Sequence, residues 1–178
     1  MRIILCAFDN ALENAWKKAL PDFLPDLERG HSVVTMCGDI TALTVTAVVS
    51  PANSHGHMRG GVDLAYARRF VGVEQAVRTK NAMLPGKLLP VGEALSVHTG
   101  DAAIPYLISA PTMETPRLLF GPEPVVAASR AAVRCARTEG YDFLAFPGMG
   151  TGAGGLDVSI AAWAMLQGIC EGLRFGGT

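Results

Sequence analysis

No stretch of this 178-residue chain is apolar for long enough to cross a bilayer, which takes about 20 consecutive residues. The opening Met1-Arg2-Ile3-Ile4-Leu5-Cys6-Ala7-Phe8 is too short to hold the apolar region and cleavage site of a secretory signal. The expected setting is therefore the cytoplasm, with no membrane partner. Cysteines are few and scattered: Cys6, Cys37, Cys135 and Cys170 form no C-x-x-C pair, so neither a zinc knuckle nor a redox motif is suggested. A chain of this size buries enough apolar surface to do without disulfides, and reduced thiols suit the same compartment. An excess of one charge is missing too, with 15 Lys and Arg against 16 Asp and Glu and a net charge of −1. Nucleic-acid binding would then need a local basic patch. The candidate, Arg68 and Arg69 with Arg78 and Lys80, reads as the solvated face of a helix, and no nucleic-acid partner is expected. Repeats, low-complexity tracts and dividing linkers are also absent, so one domain over residues 1–178 is expected.

What is present is an alternation of short β-branched runs with longer segments of helical period, the pattern of an α/β protein. Residues 2–8 read as a buried strand, followed by a helix over 10–20 that places Leu12, Ala15, Trp16 and Ala19 on one face and stops at Pro21. Strands are predicted near 32–36 and 45–50, then a long helix over 62–80 and a connector over 81–90. Further strands are predicted near 94–98 and 106–109. A helix over 123–139, a strand over 142–146, a glycine-rich loop and a last helix to about residue 172 complete the order. The expected fold class is a three-layer α/β/α sandwich around a mixed sheet.

Chemistry concentrates in two places. Gly148-Met149-Gly150-Thr151-Gly152-Ala153-Gly154-Gly155 lies between a predicted strand and helix. Glycines there let backbone N–H groups approach a ligand closely, and a following helix N-terminus would favour a phosphate. Gly150, Gly152 and Gly155 also fit the dinucleotide fingerprint, which should open a βαβ unit and be followed by a ribose-binding acid at the end of a second strand. Glu171 falls inside the predicted last helix instead. The second place runs from Cys37-Gly38-Asp39-Ile40-Thr41 through Ser50-Pro51-Ala52-Asn53 to Arg59-Gly60-Gly61-Val62-Asp63.

Taken in order, these segments resemble the macro domain family: a Gly-Asp-Ile-Thr segment, a strand, an Asn-Ala-Ala-Asn motif, a glycine run, and Val-Asp opening a helix. Gly92-Glu93-Ala94, Thr99-Gly100 and Ile104-Pro105 resemble the family's middle. Phe146-Pro147 with Thr151-Gly152 resembles its second phosphate loop. The resemblance covers residues 37–172. Most members close with a strand and helix after that loop. Here Ile3 to Asp9 and Leu12 to Leu20 read as such a unit, so a circular permutation is expected.

The resemblance implies binding of ADP-ribose or ADP-ribosylated protein, with no cofactor. It implies that Asp39 and the Ile40 N–H hold adenine, and that Phe8 stacks on it if the permutation holds. It gives one side of the diphosphate to the backbone of Gly60, Gly61 and Val62, and the other to Gly148, Met149, Gly150, Thr151, Gly152, Ala153 and Gly154. It puts Asn53 and Asp63 at the distal ribose, where hydrolytic members keep an acid that helps activate water. On residue type alone, Asp39 and Asn53 equally suit turns, and Asp63 suits a helix's first turn. Three departures bear on catalysis: Ser50 replaces the motif's first Asn, Met58 and Arg59 interrupt the glycine run, and Gly154 stands where an aromatic is common. The expected function is ADP-ribose binding. The alternatives are a hydrolase acting on protein-linked ADP-ribose or ADP-ribose 1″-phosphate and, beyond that, an NAD-type enzyme. His55-Gly56-His57 offers too few ligands for a metal, whereas a histidine there could contact ligand phosphate or act as an acid. His31 and His98 read as structural.

Overall fold

The computed structural model describes residues 1–27 and 30–174. Six strands form one sheet: β1 (Arg2–Ala7), β2 (Ser32–Cys37), β3 (Ala47–Ser50), β4 (Leu95–His98), β5 (Tyr106–Ser109) and β6 (Phe143–Phe146). Their order is β2-β1-β6-β3-β5-β4. All neighbours are parallel except β4, which runs antiparallel to β5 at the edge. Parallel strands are covered on both faces and so read as continuous apolar runs. Every residue of β3 is buried. Alternate residues serve opposite faces: Ala47 and Val49 join one core, Val48 the other.

The first core lies under α1 (Asn10–Ala19), α5 (Glu123–Thr138) and α6 (Val158–Arg174). The second lies under α3 (Gly61–Arg69) and α4 (Val73–Asn81). A short α2 (Leu24–Leu27) precedes β2. The result is the expected mixed-sheet sandwich. Helix α1 starts at Asp9, whose Oδ1 accepts the Leu12 N–H at 3.0 Å, and buries Leu12 and Trp16 one turn apart. Helices α5 and α6 pack closely because Gly168 gives its place to the Val126 carbonyl, which an added Cβ would strike.

The predicted long helix is two helices. Its chain leaves helical geometry at Phe70 (φ −107°, ψ 91°) and turns through Gly72 at φ 85°. Phe70 is buried while Val71 is 92% exposed. Tyr66 and Phe70 on one helix and Val73 and Val77 on the next all face the second core, so the helical spacing of the apolar residues runs on across a break made by the backbone at Phe70 and Gly72. The basic residues nearby are partly engaged: Arg69 pairs with Asp101 at 2.9 Å, and Lys80 Nζ donates to the Ser96 carbonyl at 2.6 Å. Among the described residues no helix is long and apolar enough to cross a membrane.

Candidate functional site

Because β2, β1, β6, β3 and β5 run the same way, the segments that follow them emerge along one edge of the sheet. Phe8 follows β1, Asp39 follows β2, Asn53 to Val62 follow β3, and Gly148 to Gly154 follow β6. Strand β6 lies between β1 and β3, so its glycine loop stands between Phe8 and the β3 loop. Ligands of open α/β sheets bind in crevices at such carboxyl ends.

The β3 loop is shaped by Asn53. Its Oδ1 accepts the N–H of His55 at 3.1 Å and of His57 at 3.3 Å, while Nδ2 donates to the His57 carbonyl at 2.9 Å. This is the turn-forming use of asparagine, and it leaves one Nδ2 hydrogen for another acceptor. Helix α3 then begins at Gly60 with no side-chain cap, so no capping side chain satisfies its first N–H groups. Gly60 is extended (φ −154°), and a Cβ at Gly60 or Gly61 would meet nothing within 4 Å.

Asp63, in the first turn of α3, is buried and accepts the Ser50 hydroxyl at 2.5 Å. Desolvation by burial raises its pKa from 3.8 to about 6, and the Ser50 hydrogen bond opposes that rise only in part. Ser50, one of the departures from the family motif, is thus the partner of the one acid placed at the carboxyl end of β3.

In the β6 loop the internal hydrogen bonds end on carbonyls: Leu156 N–H on Gly150, Gly155 N–H on Gly152, and Leu119 N–H on Gly154. Among the described residues, the N–H groups of Thr151, Gly152, Ala153 and Gly154 take no backbone acceptor. Space at Gly152 is open for 4 Å around an added Cβ. Two predicted contributors turn inward: Met149 is fully buried, with the Ser129 hydroxyl 3.5 Å from its sulfur, and an added Cβ at Gly148 would meet Leu12 at 2.5 Å. Only their backbones can serve a ligand. The following helix does not supply an open N-terminus, because Asp157 Oδ1 accepts the Ser159 N–H at 2.8 Å and the Ile160 N–H at 3.4 Å. An anion here would meet the loop's own N–H groups and be repelled by Asp157. The dinucleotide fingerprint also lacks its second strand, since no strand follows α6 among the described residues.

Asp39 is exposed and caps a short turn over Ile40–Ala42, its Oδ1 accepting the Thr41 N–H at 2.8 Å and the Thr41 hydroxyl at 2.7 Å. The Thr41 hydroxyl, more than any other neighbour, holds its pKa below the ordinary carboxylate value. Both bonds end on Oδ1, so Oδ2 keeps its lone pairs. The Ile40 side chain is buried. Phe8 is 96% exposed at the end of a buried strand, which leaves both faces of its ring open to a ligand.

The segment Leu118-Leu119-Phe120 joins the site without having been expected there. It crosses the β6 loop, tied by the Leu119 to Gly154 hydrogen bond at 2.8 Å, with Leu118 against Gly155 and Phe120 fully exposed. Its one signal in the sequence is a short apolar run outside any periodic segment.

Residues 49–165 match the model of the macro domain family. An uncharacterized protein of Aquifex aeolicus is 39% identical over 130 residues, 73% of this chain and 76% of that protein. Other relatives are longer, and the chain spans 64% of one and 34% of another. Among solved structures, the macrodomain of Mycobacterium tuberculosis DarG superposes with a TM-score of 0.64 at 25% identity, covering 74% of this chain and 85% of that one. The Oceanobacillus iheyensis macrodomain with ADP gives a TM-score of 0.63 at 25% identity, covering 75% and 72%. With the fold, the edge loops and the matched span in agreement, the chain belongs to the macro domain family.

Proposed function

We propose that this macro domain binds ADP-ribose, free or carried by a protein, with its diphosphate between the α3 N-terminus and the β6 loop. The observation that carries this reading is that the fold gives no reason for glycine at 60 or 152. Neither has a positive φ and neither is crowded, yet one precedes the uncapped first turn of α3 and the other lies in a loop whose N–H groups take no backbone acceptor. Close approach by a ligand accounts for both. An exposed Phe8 supplies a face for adenine and Asp39 Oδ2 an acceptor for its amino group. The Oceanobacillus macrodomain is known with ADP, and the asparagine, glycine and aspartate substituted in its variants stand seven and three residues apart, as do Asn53, Gly60 and Asp63. The β1–α1 unit, lying between β2 and β6 with α1 against α6, is the segment we assign to the permuted position. Four unpaired cysteines agree with a cytoplasmic setting.

One observation favours a second reading, hydrolysis. A carboxyl with a pKa near 6 at the distal end of the site is suited to accepting a proton from water near neutral pH. Calorimetry with ADP-ribose against NAD tests the binding reading, and preference for NAD would overturn it. Release of ADP-ribose from modified protein, compared with Asp63→Ala, tests the second. Binding without release leaves a reader.

A further inference from the structure

Between the Asn53 turn and α4 lies a cavity of about 400 Å³. His55, His57, Arg78 and Lys87 line it together with Asn81 and Gln75. Three chain segments form its walls, and all three meet at the Ser54 carbonyl. That oxygen accepts both the Asn81 Nδ2 hydrogen at 3.0 Å and the Leu89 N–H at 2.9 Å. The backbone segments that carry the lining are therefore held together by the fold, with Asn81 buried at the base and Arg78 and Lys87 exposed at the rim.

Its chemistry is unbalanced in one direction. Among the described residues no carboxylate lies within ion-pair distance of Arg78 or Lys87; Glu74 approaches only His57, at 3.6 Å. Asn81 is 2% exposed, and with its Nδ2 committed to Ser54, its Oδ1 is left buried without a hydrogen-bond partner. An orphaned buried acceptor is unfavourable unless something donates to it. Lys87 adds an independent sign. It is the one non-glycine residue with positive φ (58°) among those described, following Gly86 in the turn Pro85–Lys87. A lysine in that conformation is strained, and such strain persists where function requires the side chain. Arginine and lysine call for an anion, imidazoles suit phosphate oxygens, and the Asn81 acceptor calls for a hydroxyl beside it.

We infer that this pocket is a second binding site, for a small sugar phosphate, separate from the diphosphate site, none of whose residues line it. The site requires the phosphate and the hydroxyl together. It does not depend on the ADP-ribose assignment.

The test is an amide-resolved NMR titration of the intact chain with ribose 5-phosphate, inorganic phosphate and ribose. Ribose 5-phosphate should shift His55, His57, Asn81 and Ala82 to saturation, also in the presence of saturating ADP-ribose and in Gly152→Glu. Arg78→Gln should weaken it about tenfold. Lys87→Gly should weaken it as much while keeping the wild-type melting temperature or raising it, since glycine accepts the turn's geometry. Shifts confined to residues 60–62 and 150–154, equal affinity for inorganic phosphate, or unaltered binding by Lys87→Gly would each overturn the proposal. Loss of ADP-ribose binding in Gly152→Glu with the pocket shifts intact separates the two sites. A wild-type chain that takes ribose 5-phosphate here but no ADP-ribose would sink the proposed function alone.

Discussion

Asp63→Asn isolates the free energy of one buried charge. Asp63 titrates near 6 in the folded chain against an ordinary 3.8, because burial strips water from the carboxylate. Well below 3.8 the group is protonated in both folded and unfolded chains and has no effect on stability. Between about 4 and 6 the folded state holds the proton that the unfolded state has released, so stability falls as pH rises. Above the folded value the full difference applies. At 1.36 kcal/mol per tenfold change in proton affinity, it amounts to about 3 kcal/mol. Asparagine has the same shape, can still accept the Ser50 hydroxyl, and never charges. Urea denaturation of both proteins at pH 4 and pH 7.5 gives a difference of differences in which all other titrations cancel. Because part of the difference is already present at pH 4, the variant should gain about 2 kcal/mol on the wild type between the two pH values. Parallel pH profiles, agreeing within about 0.5 kcal/mol, would mean that Asp63 is solvated or paired, and the desolvation argument would fail.

Gly60→Glu and Gly152→Glu should fold normally, since each Cβ meets open space, and should abolish ADP-ribose binding in calorimetry by setting a carboxylate beside the diphosphate. Unchanged affinity in either would remove the glycine argument. Asp39→Ala should weaken ADP-ribose by about 1–3 kcal/mol and leave a ribose phosphate lacking adenine unaffected. Equal loss for both would reassign Asp39 to shaping its turn. Phe8→Ala should reduce ADP-ribose affinity without lowering the melting temperature, because a side chain 96% exposed contributes little to the core. A destabilised variant would make Phe8 a packing residue.

The alternation of strands and helices was legible because parallel strands buried on both faces leave apolar runs such as Ile3 to Ala7 and Ala47 to Ser50. The break at Phe70 to Gly72 was not legible, since the helical spacing of Tyr66, Phe70, Val73 and Val77 continues across it and all four serve one core. The proposed site stands out in the sequence where backbone would be the reagent, because a dense run of glycines costs chain entropy that a plain turn does not require. It stands out less where a side chain has two uses. Asn53 and Asp39 both make the turns their residue types suggested, and each retains one polar function for a ligand. Ser50 reads in sequence as a lost asparagine, and only the fold brings its hydroxyl onto Asp63, a contact between residues 13 apart. The Lys87 turn carried no signal, because a strained lysine is spelled like any other.

Strand β6 also governs when the binding edge comes into being. The pair β2–β1 and the trio β3–β5–β4 touch no common strand but β6, so without this segment from late in the sequence the sheet would be two separate halves. Contacts that join residues 2–5 to residues 143–146 close a loop of nearly the whole polypeptide, the kind of pairing that slows folding. Any molecule that grips both flanking loops at once reports on completed assembly. It also lends that last insertion its binding free energy, so a chain saturated with such a molecule should unfold more slowly than an empty one wherever the unfolding barrier lies at the release of β6.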